Sequence, residues 1–580
     1  MRTGVPFSPA SDLTTSGTPQ PPSRTDRGNA QAAVSLPLLL VLATVVACVW
    51  FLTLGARHLI PSDEGRYAEI AREMLVSGDW VTIRYNGVKY FEKPPFQMWM
   101  TAAAFEVFGI GEWQARLWTA FSGAAGLVVT AFAAWRWYGA RVGILTALAL
   151  LAMPAWNLGS HVSALDMALS GALAFVLAGV LIAQHPDATV RTRRRWMLVA
   201  WAAMGIAVLT KGPIGIVLPG LTLVVYTAIT RDLGLWRRIH LGLGLVVMLA
   251  IAAPWFVLVS QRNPEFARFF FVHEHLDRFL SPVHHREGPW WYFLPQVVVG
   301  FLPWLGLSWA MLRALREPSA RDGLRPSLLL PAWAGTVLVF FSASSSKLPG
   351  YILPMYPALA IMAARVLERL DAAARRRQLI FAFFVMVVGA AAVPYLAGLG
   401  SDQTPNALYR DFAVWVAAAV ATGSIGLVVA WRLDARNPHR ALAAYALAFF
   451  AFTTVLLRGH ESFGLSSSGA ELAARVAPLV DDATPIYSVR LLDHTMPFYL
   501  RHVTTLVQEP GELEFGVGQE PGKWLPTEAD FVRAWTSGGR ALALMSHRTY
   551  DQLRTRQLPM IVVGEDVRRV VVANRIMPSR

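Results

Sequence analysis

Long apolar segments recur along most of the chain, and short polar stretches separate them. The segments are mostly about 15–22 residues long, which is the length a helix needs to cross a hydrocarbon core of about 30 Å. A soluble fold would have to bury every apolar stripe, so the pattern predicts a polytopic α-helical membrane protein. About 13 candidate spans meet the apolar-window criterion. They are Val34–Leu54, Leu117–Trp135, Val142–Trp156, Met167–Ala183, Trp196–Thr210, Ile214–Thr230, Leu241–Val259, Trp291–Leu312, Leu328–Phe341, Ile352–Ala364, Leu379–Ala397, Phe412–Trp431 and Ala441–Leu457.

One further apolar segment, Phe96–Gly109, is ambiguous because it is short and contains Glu106. If this segment does not cross, the arginine-rich loops all fall on one side of the membrane, together with the N-terminus. The positive-inside rule therefore favours an interfacial helix, a cytoplasmic N-terminus and, with an odd number of spans, a C-terminus outside.

The chain divides into three parts by composition. Residues 1–32 are rich in Pro, Ser, Thr and Gly, which predicts a disordered cytoplasmic segment. Residues 33–458 form the membrane domain, with outer loops 57–116, 260–289 and 344–351. The first two loops are long, and long ordered loops in membrane proteins tend to be functional. In residues 459–580, short β-rich runs alternate with helix-like stretches, which predicts a periplasmic α/β domain. The expected strands are Ile486–Val489, Thr504–Val507, Ala541–Met545, Met560–Val563 and Val570–Val572.

The composition of the chain argues against several classes of function. The net charge of +14 follows the predicted cytoplasmic loops, so no nucleic-acid partner is expected. The single cysteine, Cys48, excludes an internal disulfide and a zinc-finger spacing. Neither a P-loop nor a G-x-G-x-x-G motif stands in a strand–turn–helix context, which favours an activated membrane-bound donor over ATP.

Acidic residues stand at the outer ends of two predicted spans. Asp63 and Glu64 follow the first span; either can act as a general base or orienting carboxylate, or the stretch can cap a helix. Asp166 begins the span Met167–Ala183, where a carboxylate is costly unless it is paired or faces water. This cost favours a functional role for Asp166 over a helix cap.

Lysine is rare, with five lysines among 52 Lys and Arg residues. Where arginine is the default cation, a lysine indicates a place that needs a compact ammonium, for example beside a phosphate, although chance is the alternative. Four of the five map to the outer surface, and with Arg278 they would form a cationic cluster for a phosphate or diphosphate. The lysines are Lys89, Lys93, Lys211, Lys347 and Lys523.

Histidines and tyrosines add two weaker candidates. His273, His275, His284 and His285 could bind a divalent metal such as zinc with Glu92 or Glu274, but their spacing is not a zinc signature and favours structural hydrogen bonding. The outer tyrosines fit an aromatic belt better than platforms for a sugar.

Several of these motifs together resemble a known family. Ser62–Tyr67, Tyr90–Pro95, Asp166, Lys211–Pro213, His273–Phe279 and Ser344–Tyr351 resemble the ArnT-like branch of the GT-C membrane glycosyltransferases, within the protein mannosyltransferase superfamily. The resemblance runs from about Leu54 to Leu457 and implies a GT-C fold; the C-terminal part matches only in placement and size.

The resemblance implies a function and a set of site residues. Enzymes of this branch move 4-amino-4-deoxy-L-arabinose from undecaprenyl phosphate to lipid A phosphates on the periplasmic face of the inner membrane, which gives polymyxin resistance. We expect a monomer in contact with membrane lipids and no required cofactor, although a zinc ion at His273 and Glu92 stays open. The resemblance further implies catalytic roles for Asp63 and Asp166 and binding of the carrier phosphate by Lys93, Arg278 and Lys211. The remaining substrate-binding residues would be Glu92, Arg66, Tyr67, Lys347 and Tyr351.

Two alternatives stay open. A related polyprenyl-phosphate-sugar transferase could act on a protein or on another lipid, and sequence separates these acceptors poorly. A transporter would place charges near the bilayer midplane and show inverted repeats. The charges here lie mainly at outer helix ends, which favours the transferase.

Overall fold

A computed structural model describes residues 36–277, 288–316 and 323–575, and this part of the chain is mostly helical. The α-helices before the long break in the described chain are α1 (Leu36–Leu52), α2 (Asp63–Ser77), α3 (Phe96–Phe108), α4 (Glu112–Tyr138), α5 (Ala140–Ala152), α6 (Pro154–Ser160), α7 (Leu165–Ala183), α8 (Val190–Lys211), α9 (Ile214–Thr230), α10 (Leu235–Arg238) and α11 (Leu241–Arg262). A π-helical segment, Arg268–Asp277, follows them.

The second half of the chain holds the remaining helices. The α-helices are α12 (Phe293–Gly300), α13 (Ser308–Ala314), α14 (Pro326–Ala343), α15 (Tyr356–Glu368), α16 (Ala372–Ala397), α17 (Asn406–Asp434), α18 (Pro438–Gly459), α19 (Glu461–Ser467), α20 (Ala470–Val476), α21 (Met496–Leu500), α22 (Glu514–Gln519), α23 (Glu528–Ser537) and α24 (His547–Arg554). Short 3-10 turns connect several of them, including Leu302–Leu307 before α13 and Pro349–Met355 before α15.

The protein is a multi-pass membrane protein. Within the described residues, eight helices are long and apolar enough to cross a membrane, and up to ten if each of two bent pairs counts as one span. The predicted number of 13 is not confirmed, although a helix covers each predicted span. The count falls by five because α1 and α9 are each only 17 residues long, arginines occupy the first turns of α8, and two predicted spans are broken.

Both broken spans have a proline at or next to the break. The axes of α5 and α6 differ by 68°, and Pro154 is the first residue of α6. A bend of 88° follows α12, where Pro303 stands in the 3-10 turn. Proline lacks an amide donor and clashes with the preceding turn, so it ends or bends a helix at these places.

The first outer loop is an ordered structure. It contains α2, a two-stranded hairpin of β1 (Arg84–Tyr85) and β2 (Val88–Lys89), and α3. The hairpin turn is Asn86-Gly87, with φ of 51° and 79°, which is the backbone that a tight two-residue turn requires. Helix α3 has 13 residues and a length of about 20 Å, too short to cross a hydrocarbon core, in line with the prediction of an interfacial helix.

A buried carboxyl pair on α2 holds this hairpin. Glu69 accepts two hydrogen bonds from Arg72, at 2.7 and 2.6 Å, and Glu73 accepts one from the Gly87 amide at 2.9 Å. Burial and the neighbouring Glu69 charge raise the pKa of Glu73 to about 8. The folded protein therefore keeps a proton on Glu73 at neutral pH.

This proton makes stability depend on pH. Between the unfolded pKa of about 4.3 and about 8, the folded state binds the extra proton, so stability falls as pH rises, by up to about 1.4 kcal/mol per pH unit. The Glu73→Gln variant should lose this slope, because a neutral amide replaces the protonated acid. Thermal unfolding of purified wild type and variant between pH 5 and about 9 measures the effect. Parallel curves for the two proteins would contradict the assignment.

The C-terminal part forms one six-stranded sheet, and five of its strands overlap the five β-rich runs predicted from the sequence. Its order is β5-β4-β3-β6-β8-β7, with parallel pairing from β5 to β6 and antiparallel pairing of β8 with both neighbours. The strands are β3 (Ile486–Val489), β4 (Thr505–Val507), β5 (Trp524–Leu525), β6 (Leu542–Ser546), β7 (Ile561–Glu565) and β8 (Arg569–Ala573). Only β5, with two residues, is absent from the prediction.

The C-terminal part packs directly on the first outer loop. Asn86 and Thr504 exchange hydrogen bonds at 2.7 Å, and Arg84 pairs with Glu520 at 2.9 Å. A side chain at Gly65 would place its Cβ 2.2 Å from the His494 carbonyl oxygen, so α2 needs glycine there. These contacts place the loop after β3 at the start of α2 and the loop after β4 beside the hairpin.

Candidate active site

The two adjacent carboxylates at the start of α2 have opposite environments. The Asp63 side chain is 29% exposed, whereas the Glu64 side chain is fully buried. The preceding Ser62 occupies the N-cap position but makes no side-chain capping hydrogen bond. The first turn of α2 therefore presents Asp63 to a solvent-accessible space and directs Glu64 into the protein.

Glu64 is the centre of a buried ionic network. Arg116 donates to both carboxylate oxygens, at 2.7 and 2.8 Å, and the Ser163 amide donates at 3.0 Å. Arg57 adds a second guanidinium at 3.4 Å. Although burial opposes ionisation, the two guanidinium groups hold the pKa of Glu64 at about 2. This network fixes the start of α2 against α4 and against the residues just before α7.

Arg66 connects Asp63 to the C-terminal part. Its Nη2 lies 3.6 Å from Asp63 Oδ1, and its Nε lies 2.9 Å from Glu512 Oε1. Its Nη1 donates to the Tyr90 hydroxyl at 3.3 Å, and its guanidinium carbon lies 5.6 Å from the centre of the Tyr67 ring. The Arg66 guanidinium thus contacts acidic and phenolic side chains from three separate parts of the chain.

Glu92 and Lys93 continue the cluster. The Tyr90 hydroxyl donates to Glu92 Oε2 at 3.4 Å, and Lys93 Nζ lies 3.8 Å from the same oxygen. Lys93 also forms an ion pair with Glu274 of the π-helical segment. The second outer loop therefore reaches the first through this pair.

Asp166 and Lys211 form the second acid–cation pair. Lys211 Nζ donates to Asp166 Oδ1 at 2.5 Å and lies 4.3 Å from the centre of the Tyr351 ring. A Cβ at Gly350 would lie 3.0 Å from Asp166 Cβ, so the third outer loop packs closely on this pair. The residue at the N-cap of α7 is Ala164, and Asp166 is ion-paired instead of capping the helix. The Asp63 carboxylate is also among the charges that act electrostatically on Lys211.

Lys347 has a different environment from the other site lysines. Its ammonium donates to the carbonyl oxygens of Ser342 and Ser344, at 2.9 and 2.8 Å. These carbonyls end α14, where a cation is favourable because the carbonyls lack helical partners. Two N–H groups of Lys347 therefore bind the carbonyls at the end of α14. A substrate-binding role for Lys347 stays a prediction.

The described residues do not form the set of metal ligands that the histidines suggest. Among the described residues, no group of three His, Cys, Asp or Glu side chains is placed to hold an ion. His273 packs on Phe269, with ring centres 5.3 Å apart, and Glu92 contacts Tyr90 and Lys93. Arg278, His284 and His285 lie outside the described residues.

The structure adds three residues that the sequence analysis does not single out. Glu512 reaches Arg66 from the loop after β4, and Arg57 and Arg116 surround Glu64. Glu512 carries no sequence signal, since it lies far along the chain from α2 in a polar loop. Arg116 has a weak signal, because it stands alone at the outer end of a predicted span.

The fold and site together define a class of protein. Helices of a multi-pass membrane protein end at one cluster of paired acids and cations, and an α/β sheet packs beside it. Fixed cations beside carboxylates suit transfer of a group from a phosphorylated carrier. This combination is that of a membrane glycosyltransferase.

Comparisons with known proteins place the chain within that class. The family "Dolichyl-phosphate-mannose-protein mannosyltransferase" matches residues 35–270, and "Aminoarabinose transferase C-terminal domain" matches residues 472–574. An undecaprenyl phosphate-alpha-4-amino-4-deoxy-L-arabinose arabinosyl transferase of Yersinia enterocolitica is 31% identical, over 72% of this chain and 76% of the relative. A second such transferase, from Pseudomonas fluorescens, is 28% identical over 90% of each chain.

A solved structure gives the same result. The crystal structure of ArnT from Cupriavidus metallidurans bound to undecaprenyl phosphate is 50% identical, with a TM-score of 0.91, and covers 93% of this chain and 99% of that one. The chain belongs to the family of undecaprenyl phosphate-alpha-4-amino-4-deoxy-L-arabinose arabinosyl transferases. The resemblance and the GT-C fold class inferred from the sequence motifs are confirmed.

Proposed function

We propose that this protein transfers 4-amino-4-deoxy-L-arabinose from undecaprenyl phosphate to the phosphates of lipid A, at the periplasmic face of the bacterial inner membrane. The observation that carries the proposal is the single site formed by Asp63–Arg66 and Asp166–Lys211, in a fold that closely matches an undecaprenyl-phosphate-bound relative. In a cell the transfer masks negative charge on lipid A and lowers binding of cationic polymyxin.

The arginine-rich loops support this orientation. Arg193 and Arg238 lie at the ends of α8 and α10 on the side opposite Asp166 and Lys211, and cytoplasmic loops carry an excess of arginine. The site residues then face the periplasm, where lipid-linked sugars and lipid A can both reach them.

The cations suit the leaving group. The bond between the sugar C1 and the carrier phosphate oxygen breaks, and undecaprenyl phosphate departs with the electron pair. An ammonium group has three donors, and Asp166 takes one from Lys211 while the Glu92 carbonyl and Glu274 contact Lys93. Lys93 and Lys211, with Arg278, would bind the departing phosphate, and this binding needs no proton transfer.

The acceptor needs orientation more than activation. A lipid A phosphate is already anionic, so its oxygen can attack C1 without losing a proton to a strong base. Asp63, exposed beside Arg66, would orient the acceptor or stabilise positive charge developing on the sugar ring. Asp166 would hold the donor sugar or the acceptor beside Lys211, and Glu92, Tyr67 and Tyr351 would form walls of the same space.

A reconstituted assay tests the proposal. Purified protein in vesicles receives the aminoarabinose-carrying undecaprenyl phosphate and lipid A, and mass spectrometry follows the lipid A product. The expected result is lipid A carrying aminoarabinose, and none in vesicles without protein or with lipid A stripped of its phosphates. Consumption of donor with no modified lipid A would reject the acceptor and favour a related transferase acting on a protein or another lipid. Lack of any donor consumption would reject the transferase itself.

A further inference from the structure

Segment 57–60 lies between the first membrane helix and the first turn of α2, which carries Asp63. Three consecutive backbone amides of this segment donate to side chains of three other elements, α19, α21 and α2. The pairs, with the amide donor first, are His58 with Glu461 at 2.9 Å, Leu59 with the Tyr499 hydroxyl at 2.7 Å, and Ile60 with Glu64 at 3.2 Å. The backbone that leads to Asp63 is therefore held by separate parts of the chain.

His58 binds one carboxylate at two points. Its ring Nδ1 lies 2.5 Å from Glu461 Oε1, and its amide donates to Glu461 Oε2. Its carbonyl oxygen accepts from Arg116 Nη2 at 2.9 Å, and Arg116 in turn binds Glu64. His58 thereby joins α19, which follows the last membrane helix, to the ionic network at the start of α2.

The His58 ring is accessible to solvent protons, because its side chain is 37% exposed. Acids of three elements favour its charged form, namely Glu461 of α19, Glu112 of α4 and Glu471 of α20. The hydrogen bond to Glu461 is the largest influence, and against the effect of burial it raises the pKa of His58 above 6.5. Further charged or titratable groups beside the pair are Arg57, Arg116, Tyr499, Arg458 and His460.

This pairing depends on pH in a definite direction. Folded His58 keeps its proton to higher pH than the unfolded chain does, because the imidazolium donates to an ionised carboxylate. The charged form of the pair is complete below about pH 6.5 and is lost as pH rises through the raised pKa. A neutral ring can still donate from Nδ1, but the attraction between two charges is then gone. The attachment of segment 57–60 therefore weakens at alkaline pH without breaking.

We propose that His58 is a positioning residue for the transfer reaction, and that its proton tightens the hold of segment 57–60 on the start of α2. The inference rests on the proposed function, since that function places the reacting groups beside Asp63. Fixed placement of Asp63 raises the rate at which bound substrates react. Lys93 and Lys211, which bind the carrier phosphate, stand on other elements. His58 therefore acts on kcat and not on KM for the carrier, and transfer is faster at mildly acidic than at alkaline pH.

Replacement of His58 by glutamine tests the proposal, because the amide can donate to Glu461 but cannot gain a charge. At about pH 6, kcat of wild type in the vesicle assay should exceed that of His58→Gln about fivefold, the upper end of what a solvent-screened ion pair contributes. At about pH 9 the two kcat values should agree, and KM for the undecaprenyl donor should agree at both pH values. His185→Gln is the matched control, since His185 lies 3.9 Å from Asp187 in a loop remote from the site. This control should follow wild type at every pH.

Hydrogen exchange separates this inference from the proposed function. Purified wild type and His58→Gln are compared without any donor, and mass spectrometry follows the peptide that covers residues 57–66, with correction for the intrinsic exchange rate at each pH. At about pH 6 wild type should exchange about fivefold more slowly than the variant, and at about pH 9 the two should be alike. If wild type transfers no sugar, the proposed function fails, and the exchange comparison still decides the role of His58.

Two results would overturn the role of His58. A ratio of wild-type to variant kcat that stays constant with pH would show that the ring is only a structural hydrogen-bonding group. Equal exchange of the two proteins at acidic pH would show that the proton does not tighten segment 57–60. If His58→Gln does not fold, Glu461→Gln takes its place, because it removes the charge and keeps an oxygen acceptor for the His58 amide. Its kcat should equal that of wild type at alkaline pH alone, and a wild-type rate at acidic pH would contradict the proposal.

Discussion

Replacement of Asp63 by asparagine is expected to lower sugar transfer by about 10²–10³-fold while the protein stays folded. The side chain keeps its size but loses the charge that faces the accessible space beside Arg66. Stability should change little, because Asp63 is partly exposed and its distance to Arg66 is 3.6 Å, whereas Arg66 keeps Glu512 at 2.9 Å. The measurement is the initial rate in the vesicle assay at matched protein, together with a thermal unfolding curve.

A matched control is available for the same charge change. Asp187→Asn alters a side chain that is 86% exposed in a loop remote from the site, and its rate should equal that of wild type. If Asp63→Asn also retains the wild-type rate, Asp63 is only a first-turn residue of α2. Asp166→Asn and Lys93→Ala would then become the decisive variants.

The neighbouring variant, Glu64→Gln, is expected to act on stability instead. Its carboxylate compensates Arg116 and Arg57 in a fully buried position, and loss of one partner of a buried pair costs about 3–5 kcal/mol. We expect a large fall in the yield of folded protein and in the unfolding temperature. The folded-state pKa of about 2 means that the ionic contribution is complete above about pH 5 and is lost as pH falls toward 2.

A double variant separates charge compensation from packing at this place. Glu64→Gln combined with Arg116→Leu removes both a buried acid and a buried cation, so it should recover part of the stability lost by Glu64→Gln alone. Additive losses in the double variant would show that the ion pair is not the source of the effect. If the Glu64→Gln protein is fully stable but inactive, the catalytic carboxylate is Glu64 and not Asp63.

The membrane part of the fold could be predicted from the sequence because the bilayer imposes a simple pattern. A span needs an apolar stretch of fixed length, and helical segments between α1 and α18 cover the predicted spans, two of them as bent pairs. The sheet was predictable because β-branched runs such as Ile486–Val489 and Val570–Val572 stand between turn residues. The number of independent spans was not, since a proline such as Pro154 can end, bend or interrupt a helix, and packing decides which.

By itself, the sequence determined the class of fold, the family, and a short set of charged residues at the outer helix ends. Only the tertiary structure decided that Asp63 is accessible and Glu64 buried, because helix geometry sends adjacent residues in different directions and the position of Arg116 fixes which one faces inward. It also paired Asp166 with Lys211 and brought Glu512 to Arg66. Such pairs join distant parts of the chain, and a single sequence carries no periodicity or spacing that relates them.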